Sequence, residues 1–363
     1  MSQIRKRVSR RPAAWVEQYR PKNLWQKLIA AGMAVVLLSV LVMYTIAQWY
    51  IFTERHRPLE MGVTFIPSYA EYLGLDGKET LDALVNDLGV KHFRLVSYWN
   101  EIEPTPGHYD FSGLDWQFQK VYAAGGDVSL AIGLRQPRWP ECHVPEWATG
   151  WSKDQWYPAL KNFMQAVIDH YKQNPALKSY QLENEYFLKV FGMCTDFSRD
   201  RLIDEYKLVK SLDSTHPTIV SRSNNWVGLP IGQPRPDEFG ISVYKRVWDS
   251  VFTHRYVEYP YPAWYYAFYA GAGKILTGKD LIIHELQAEA WMPDGYPIND
   301  PATIKEQTKS LDAKRLKDRF EYGRATGMRD INLWGAEWWY WRKVKAHDSS
   351  LWDVAKKEFT KSN

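Results

Sequence analysis

Two strand-like runs in this chain end in acids. Residues 179–187 read S-Y-Q-L-E-N-E-Y-F, so that Glu183, Asn184 and Glu185 arrive just where an apolar run leaves the core. About a hundred residues later, L-I-I-H-E-L-Q-A-E-A-W places Glu285 after Leu281, Ile282, Ile283 and His284. Acids at a strand end sit at a mouth rather than in an interior. Two carboxyls facing each other about 5–5.5 Å apart across one pocket can cleave a glycosidic bond with retention, one as acid and then base, the other as nucleophile. Glu185 and Glu285 are the candidate pair. Glu289, four residues beyond Glu285, is the rival for its place.

Eight short apolar runs can position such a pair: 62–66, 92–98, 128–134, 177–185, 218–223, 239–244, 281–286 and one beginning at 331–334. Helical spacing separates most of them, as in Leu81, Leu84, Val85 and Leu88, or Leu160, Phe163, Val167 and Tyr171. Runs this apolar imply a parallel sheet covered on both sides. Eight strands in some 300 residues imply a (β/α)8 TIM barrel over 58–363, with its site at the C-terminal strand ends. An open doubly wound sheet would show a Gly-rich phosphate loop after the first strand. G-V-T-F-I-P-S-Y-A has none. One repeat is irregular, since residues 224–238 are too short and too rich in Pro and Gly for a good fifth helix.

Polar and aromatic groups gather at these strand ends, and there the chain resembles a known clan. W-N-E-I-E-P-T-P-G-H-Y-D-F-S-G resembles the loop after strand two in beta-galactosidases of glycoside hydrolase families 35 and 42. Q-L-E-N-E-Y resembles the Asn-Glu signature of strand four in the clan of retaining glycoside hydrolases that includes those families and family 5. H-E-L-Q-A-E-A-W resembles that clan's nucleophile strand. The likeness extends over about 60–341. It implies Glu185 as acid/base, Glu285 as nucleophile and Asn184 on the sugar 2-hydroxyl. It also implies that Arg94 and Tyr244 contact the nucleophile and that Trp338 is an aromatic sugar platform. Trp99, where the second strand empties into its loop, is a further candidate for substrate contact. An arginine beside Glu285 would favour its charged form, while aromatic walls and a like-charged partner would raise the pKa of Glu185. The accessory domains of the galactosidase families are not expected here, which leaves the sugar open.

Two other readings use the same residues: a transglycosylase remodelling envelope glycan, and a non-catalytic carbohydrate-binding barrel. Glu183 points away from Asn184 by strand alternation and is expected in a structural salt bridge. Glu101 and Glu103 read equally as loop caps or substrate contacts. Arg135, Arg138, Lys245 and Arg246 read as solvated loop charges before contacts to an acidic sugar. His284 reads as a strand hydrogen-bond partner. No three convergent His or Cys ligands are found for a catalytic zinc, so neither metal nor cofactor is expected.

Composition bounds the partners. The 18 Trp and 23 Tyr suit either a sugar-binding groove or an aromatic core. The net charge of +4 is misleading, because residues 1–57 hold ten Lys/Arg against two acids. The rest is mildly acidic, with 36 basic and 40 acidic residues, which argues against nucleic acid as a partner. From Leu28 to Thr53 there is no charge, longer than the ~20 residues that cross a bilayer. A transmembrane anchor is expected over 28–52, after a basic cytoplasmic tail, 1–27. The excess of positive charge before it places the catalytic domain outside the cytoplasm. A cleaved signal peptide is the alternative, but T-I-A is a poor cleavage site. Cys142 and Cys194, the only cysteines, follow strands three and four. Neighbouring loops bring them together, so a disulfide beside Glu185 is expected.

Overall fold

The computed structural model describes residues 23–222 and 232–361. Eight parallel strands close a barrel: β1 (Glu60–Thr64), β2 (His92–Val96), β3 (Asp127–Ile132), β4 (Leu177–Leu182), β5 (Thr218–Arg222), β6 (Glu238–Val243), β7 (Asp280–Gln287) and β8 (Asp330–Trp334). The ring shuts where β1 meets β8, with Met61 opposite Ile331 and Val63 opposite Leu333. Almost every strand residue is buried, because side chains of one parity fill the barrel and those of the other lie under helices. The expected strands are all present, most of them one to three residues shorter at the mouth, where the chain turns into its loops. The irregular repeat at 224–238 falls largely outside the described residues.

Helices return the chain from the mouth to the far end: α2 (Gly77–Asn86), α3 (Ser112–Ala123), α4 (Lys153–Tyr171), α5 (Arg199–Leu212), α6 (Ala263–Thr277), α7 (Ala313–Ala325), α8 (Ala336–Val344) and α9 (Ser350–Thr360). They are preceded by α1 (Leu24–Glu54). Sequence patterning identified neither α6 nor the antiparallel hairpin Arg246–Asp249/Arg255–Glu258 before it. The reason is physical. α6 reads A-W-Y-Y-A-F-Y-A-G-A-G-K-I-L-T, apolar nearly all round, because the barrel covers one side and the end of α1 covers another. An amphipathic period appears only where one face meets water.

The contact with α1 is close. A Cβ on Gly271 would lie 3.0 Å from Ile46 Cγ2 and from Tyr50 Cβ. Ala47 and Tyr50 are buried there. Glu54, also buried, accepts from Lys274 Nζ at 2.6 Å and Arg57 Nη1 at 2.7 Å, and Arg57 reaches Asp280 at 2.9 Å. The same helix is exposed from Leu24 to Val42.

Candidate active site

β4 delivers Glu185 through a tight local conformation. Glu183 and Glu185 both take positive φ, 55° and 41°, a region that costs a non-glycine residue on the order of 1–3 kcal/mol and persists only when its surroundings enforce it. They do. The Glu183 carboxylate accepts from the backbone N–H of Leu134 and Arg135 at 2.7 and 3.0 Å and from both terminal nitrogens of Arg201 at 3.1 and 3.3 Å. It is thus in a structural ion pair, turned away from the cleft. The Glu185 N–H donates to Ser221 Oγ at 2.8 Å. Cys142 and Cys194 are joined, Cα to Cα 5.5 Å, and the bridge ties the loop after β3 to the loop after β4.

β7 delivers Glu285, opposite Ser242 of β6. Arg94 Nη1 donates to Glu285 Oε2 at 2.9 Å, and the Tyr244 hydroxyl donates to Oε1. Arg94 Nη2 also holds Asn184 Oδ1 at 2.7 Å, and its Nε holds Gln181 Oε1 at 2.5 Å. Asn184 Nδ2 donates to Glu141 Oε2 at 3.1 Å. One arginine therefore orients both the Glu285 carboxylate and the asparagine beside Glu185.

Glu185 and Glu285 line one cleft of about 730 Å³ with Tyr244, Glu289, Trp291 and Trp334. Glu185 is 5% exposed. Burial pushes its pKa up to about 8, with the charges of Glu285 and Glu141 adding to the rise. It therefore holds a proton at neutral pH. Glu141, not singled out by the sequence, is pushed up to about 7 by burial against the opposing pull of Arg135. Its signal in the sequence was its position: it precedes Cys142, whose bridge fixes it beside Asn184. His284 packs between Ser221 and Ser242, with Nε2 at 3.0 and 3.5 Å from their hydroxyls. Burial and Arg94 lower its pKa well below the usual histidine range.

Other expectations need correcting. Trp338 is not a cleft platform. It lies on α8, fully buried, and donates to Gln307 Oε1 at 3.1 Å. Trp339 is buried as well and donates to Ala288 O at 2.7 Å. The chain becomes helical directly after β8, so both indoles turn inward, and Trp334 and Trp291 supply the aromatic surface instead. Trp99 is also core. Its short helix Trp99–Ile102 buries the indole against Phe163, and Nε1 donates to Glu103 at 2.6 Å. Glu103 further accepts from Gly107 N, which makes it a loop cap. Glu289 is paired with Arg138 through two contacts of 3.2 Å. Arg135 and Lys245 are buried rather than solvated, and Arg246 is half-buried. They donate to the carbonyls of Phe191, of Tyr259 and Tyr261, and of Lys309 respectively.

Comparison with known proteins bears on this site. Residues 79–155 match the family profile Glyco_hydro_42, Beta-galactosidase. That segment holds Arg94 and Glu141 but stops short of both candidate carboxyls. Beta-galactosidase BbgII of Bifidobacterium bifidum is 32% identical over 105 residues, 24% of this chain and 15% of that protein. Beta-galactosidase BgaB of a Geobacillus species is 26% identical over 152 residues, 35% of this chain and 22% of that protein. The chain thus spans under a quarter of the length of either. Among solved structures, a GH5_18 protein from Bifidobacterium longum subsp. infantis superposes with a TM-score of 0.55 at 14% identity, covering 84% of this chain and 79% of that one. A beta-galactosidase from the haloarchaeon Halorubrum lacusprofundi gives 0.53 at 13% identity, over 83% of this chain and 58% of its own. The chain is a (β/α)8 barrel, like these solved glycosidases in fold, whose residues 79–155 match a beta-galactosidase family profile.

Proposed function

We propose that the chain is a retaining β-glycosidase held at a membrane by α1. The observation that carries this is the unequal setting of two acids in one cleft. Glu185 is buried and keeps its proton, while Glu285 is gripped by Arg94 and Tyr244. In the first step Glu185 gives its proton to the leaving oxygen as a Glu285 oxygen bonds the anomeric carbon and the glycosidic C–O bond breaks. In the second, Glu185 takes a proton from water, whose oxygen displaces Glu285 and restores the original configuration. Asn184 offers its amide to the sugar, and Trp291 and Trp334 offer faces on which a pyranose can stack. β-Galactosides are the first substrates to try, because the matched relatives are beta-galactosidases.

For α1, an uncharged run from Leu28, exposed as far as Val42, with Lys27 and Trp25 placed to reach the headgroups at its start, supports a bilayer span. The basic residues before it support a cytoplasmic tail and an extracytoplasmic barrel, where a disulfide persists. The packing of Ala47, Tyr50 and Glu54 into the barrel supports an anchor that is retained rather than cleaved. A panel of aryl β-glycosides, with NMR of the first-formed anomer, tests the reaction. Glu285→Gln is expected to abolish turnover with the fold intact. Glu185→Ala is expected to recover cleavage of activated substrates when azide is added. An inverted product, or full activity in Glu285→Gln, would overturn the assignment.

A further inference from the structure

The N-terminal helix fixes which way the cleft faces. α6 follows β6, so it runs from the mouth of the barrel to the far end. α1 lies beside it and runs the same way. Tyr44 meets Trp264 at the mouth end, ring centroids 5.8 Å apart. Ile46 and Tyr50 flank Gly271 further along. Glu54 pairs with Lys274 at 2.6 Å near the far end, where Arg57 reaches Asp280 at the start of β7. The residues before Tyr44 therefore project outward past the mouth. They are the exposed part of α1, uncharged from Leu28 onward, in a helix long and apolar enough to cross a bilayer.

A second observation is independent of that helix. Exposed apolar side chains gather on loops of the same face: Trp139 after β3, Val190 and Met193 after β4, and Val251 and Phe252 at the hairpin tip after β6. Val190 is 92% and Phe252 87% exposed. Scattered apolar residues on a surface are ordinary. Trp139, Val190, Val251 and Phe252 stand together where they also wall the cleft, at the end of the barrel from which α1 departs.

We propose that the barrel sits with its catalytic mouth against the membrane that α1 crosses, and that its substrate is the sugar of a glycosylated lipid embedded in that membrane. The proposal rests on the glycosidase and anchor readings above. Its added content is the orientation and the substrate class. The rim side chains enter the headgroup boundary, as apolar faces of interfacial proteins do. Because α1 and α6 are packed along some ten residues and joined by the half-buried Glu54–Lys274 ion pair, the barrel cannot swing its mouth toward bulk solvent. A lipid-borne glycan reaches the cleft from the bilayer side. Glu185 then protonates the oxygen that joins sugar to lipid, Glu285 takes the sugar, and water releases it, leaving the lipid alcohol in the membrane.

The test uses the full chain in phosphatidylcholine–phosphatidylglycerol nanodiscs containing a photoactivatable phosphatidylcholine. Crosslinks mapped by mass spectrometry are expected in the peptides that hold residues 190–193 and 250–253. Crosslinks confined to α1, or to the far end around Ile275 and Leu276, would overturn the orientation. A second arm compares the aryl glycoside turned over in the soluble panel with the same sugar on a dialkylglycerol in the disc. Met193→Asp, at a rim residue outside the cleft lining, is expected to slow cleavage of the bilayer-borne substrate by about fivefold or more, and of the soluble one by less than about twofold. Equal slowing of both would overturn the substrate class. Failure to cleave any glycoside sinks the glycosidase reading instead, and with it the substrate class, while the crosslink map still decides the orientation.

Discussion

Glu185 carries consequences in two different measurements. In the proposed mechanism its pKa, raised to about 8, sets the alkaline limb of the rate profile, since the acid must enter the cycle protonated. kcat/KM is expected to fall above about pH 8. Glu141 is one cause of that rise, so Glu141→Gln should move the limb to lower pH, by up to about one unit. A limb unmoved in that variant would remove Glu141 from the electrostatics of the acid. Stability gives the other measurement. A carboxyl raised from 4.5 to about 8 binds a proton in the folded state that the unfolded chain has already lost. The fold therefore loses stability as pH rises through that window, at about 1.4 kcal/mol per pH unit at most. Glu185→Gln is expected to be more stable than the parent by a few kcal/mol at pH 8 and no more stable at pH 4, as read by denaturant unfolding. The acids were legible in the sequence because they interrupt apolar strands. Glu141 was not, because it lies in a loop among other polar residues. Trp99 and Trp338 misled because an indole after a strand looks the same in a sequence whether the next turn aims it at sugar or at the core.

Between single residues and the barrel stand the loops after β3 and β4. They bring Glu141, Asn184 and Glu185 together, and the Cys142–Cys194 bridge spans them across a sequence separation of 52. Closing a loop of that length removes enough entropy from the unfolded chain to stabilise the fold by about 4 kcal/mol in the simplest treatment. Reduction, or the pair Cys142→Ser and Cys194→Ser, is expected to lower the unfolding midpoint and to reduce kcat, because Glu185 depends on its surroundings to hold a positive φ. A midpoint unchanged by reductant would show that the bridge constrains nothing. The pairing was readable from the order of strands alone, since loops after neighbouring strands of a barrel are themselves neighbours. The hairpin and α6 were not. Their sequence is aromatic and apolar without alternation, and the partner that makes sense of α6 is a helix more than 200 residues earlier.

That partnership alters what the whole molecule is. A chain read from its sequence as an anchor, a short linker and a separate barrel is continuous at the junction, for α1 ends inside the barrel's packing and not before it. Hydropathy could mark where α1 is apolar, but it could not divide the part for lipid from the part for protein, because both are apolar. Gly271 is where the division can be tested. Its missing Cβ is what lets Ile46 and Tyr50 approach α6. Gly271→Leu forces several atoms into a contact already at 3.0 Å. Overpacking of this kind costs about 1–3 kcal/mol, and the half-buried Glu54–Lys274 pair is strained with it. The full chain in detergent should then unfold several degrees lower, while hydrolysis of a soluble aryl glycoside at 25 °C is unchanged, since Gly271 lies on the outside of the barrel and away from the cleft. If the midpoint does not move, the helices are not packed as described. The barrel would then hang from its anchor as a separate body, and its mouth would be free to face solvent.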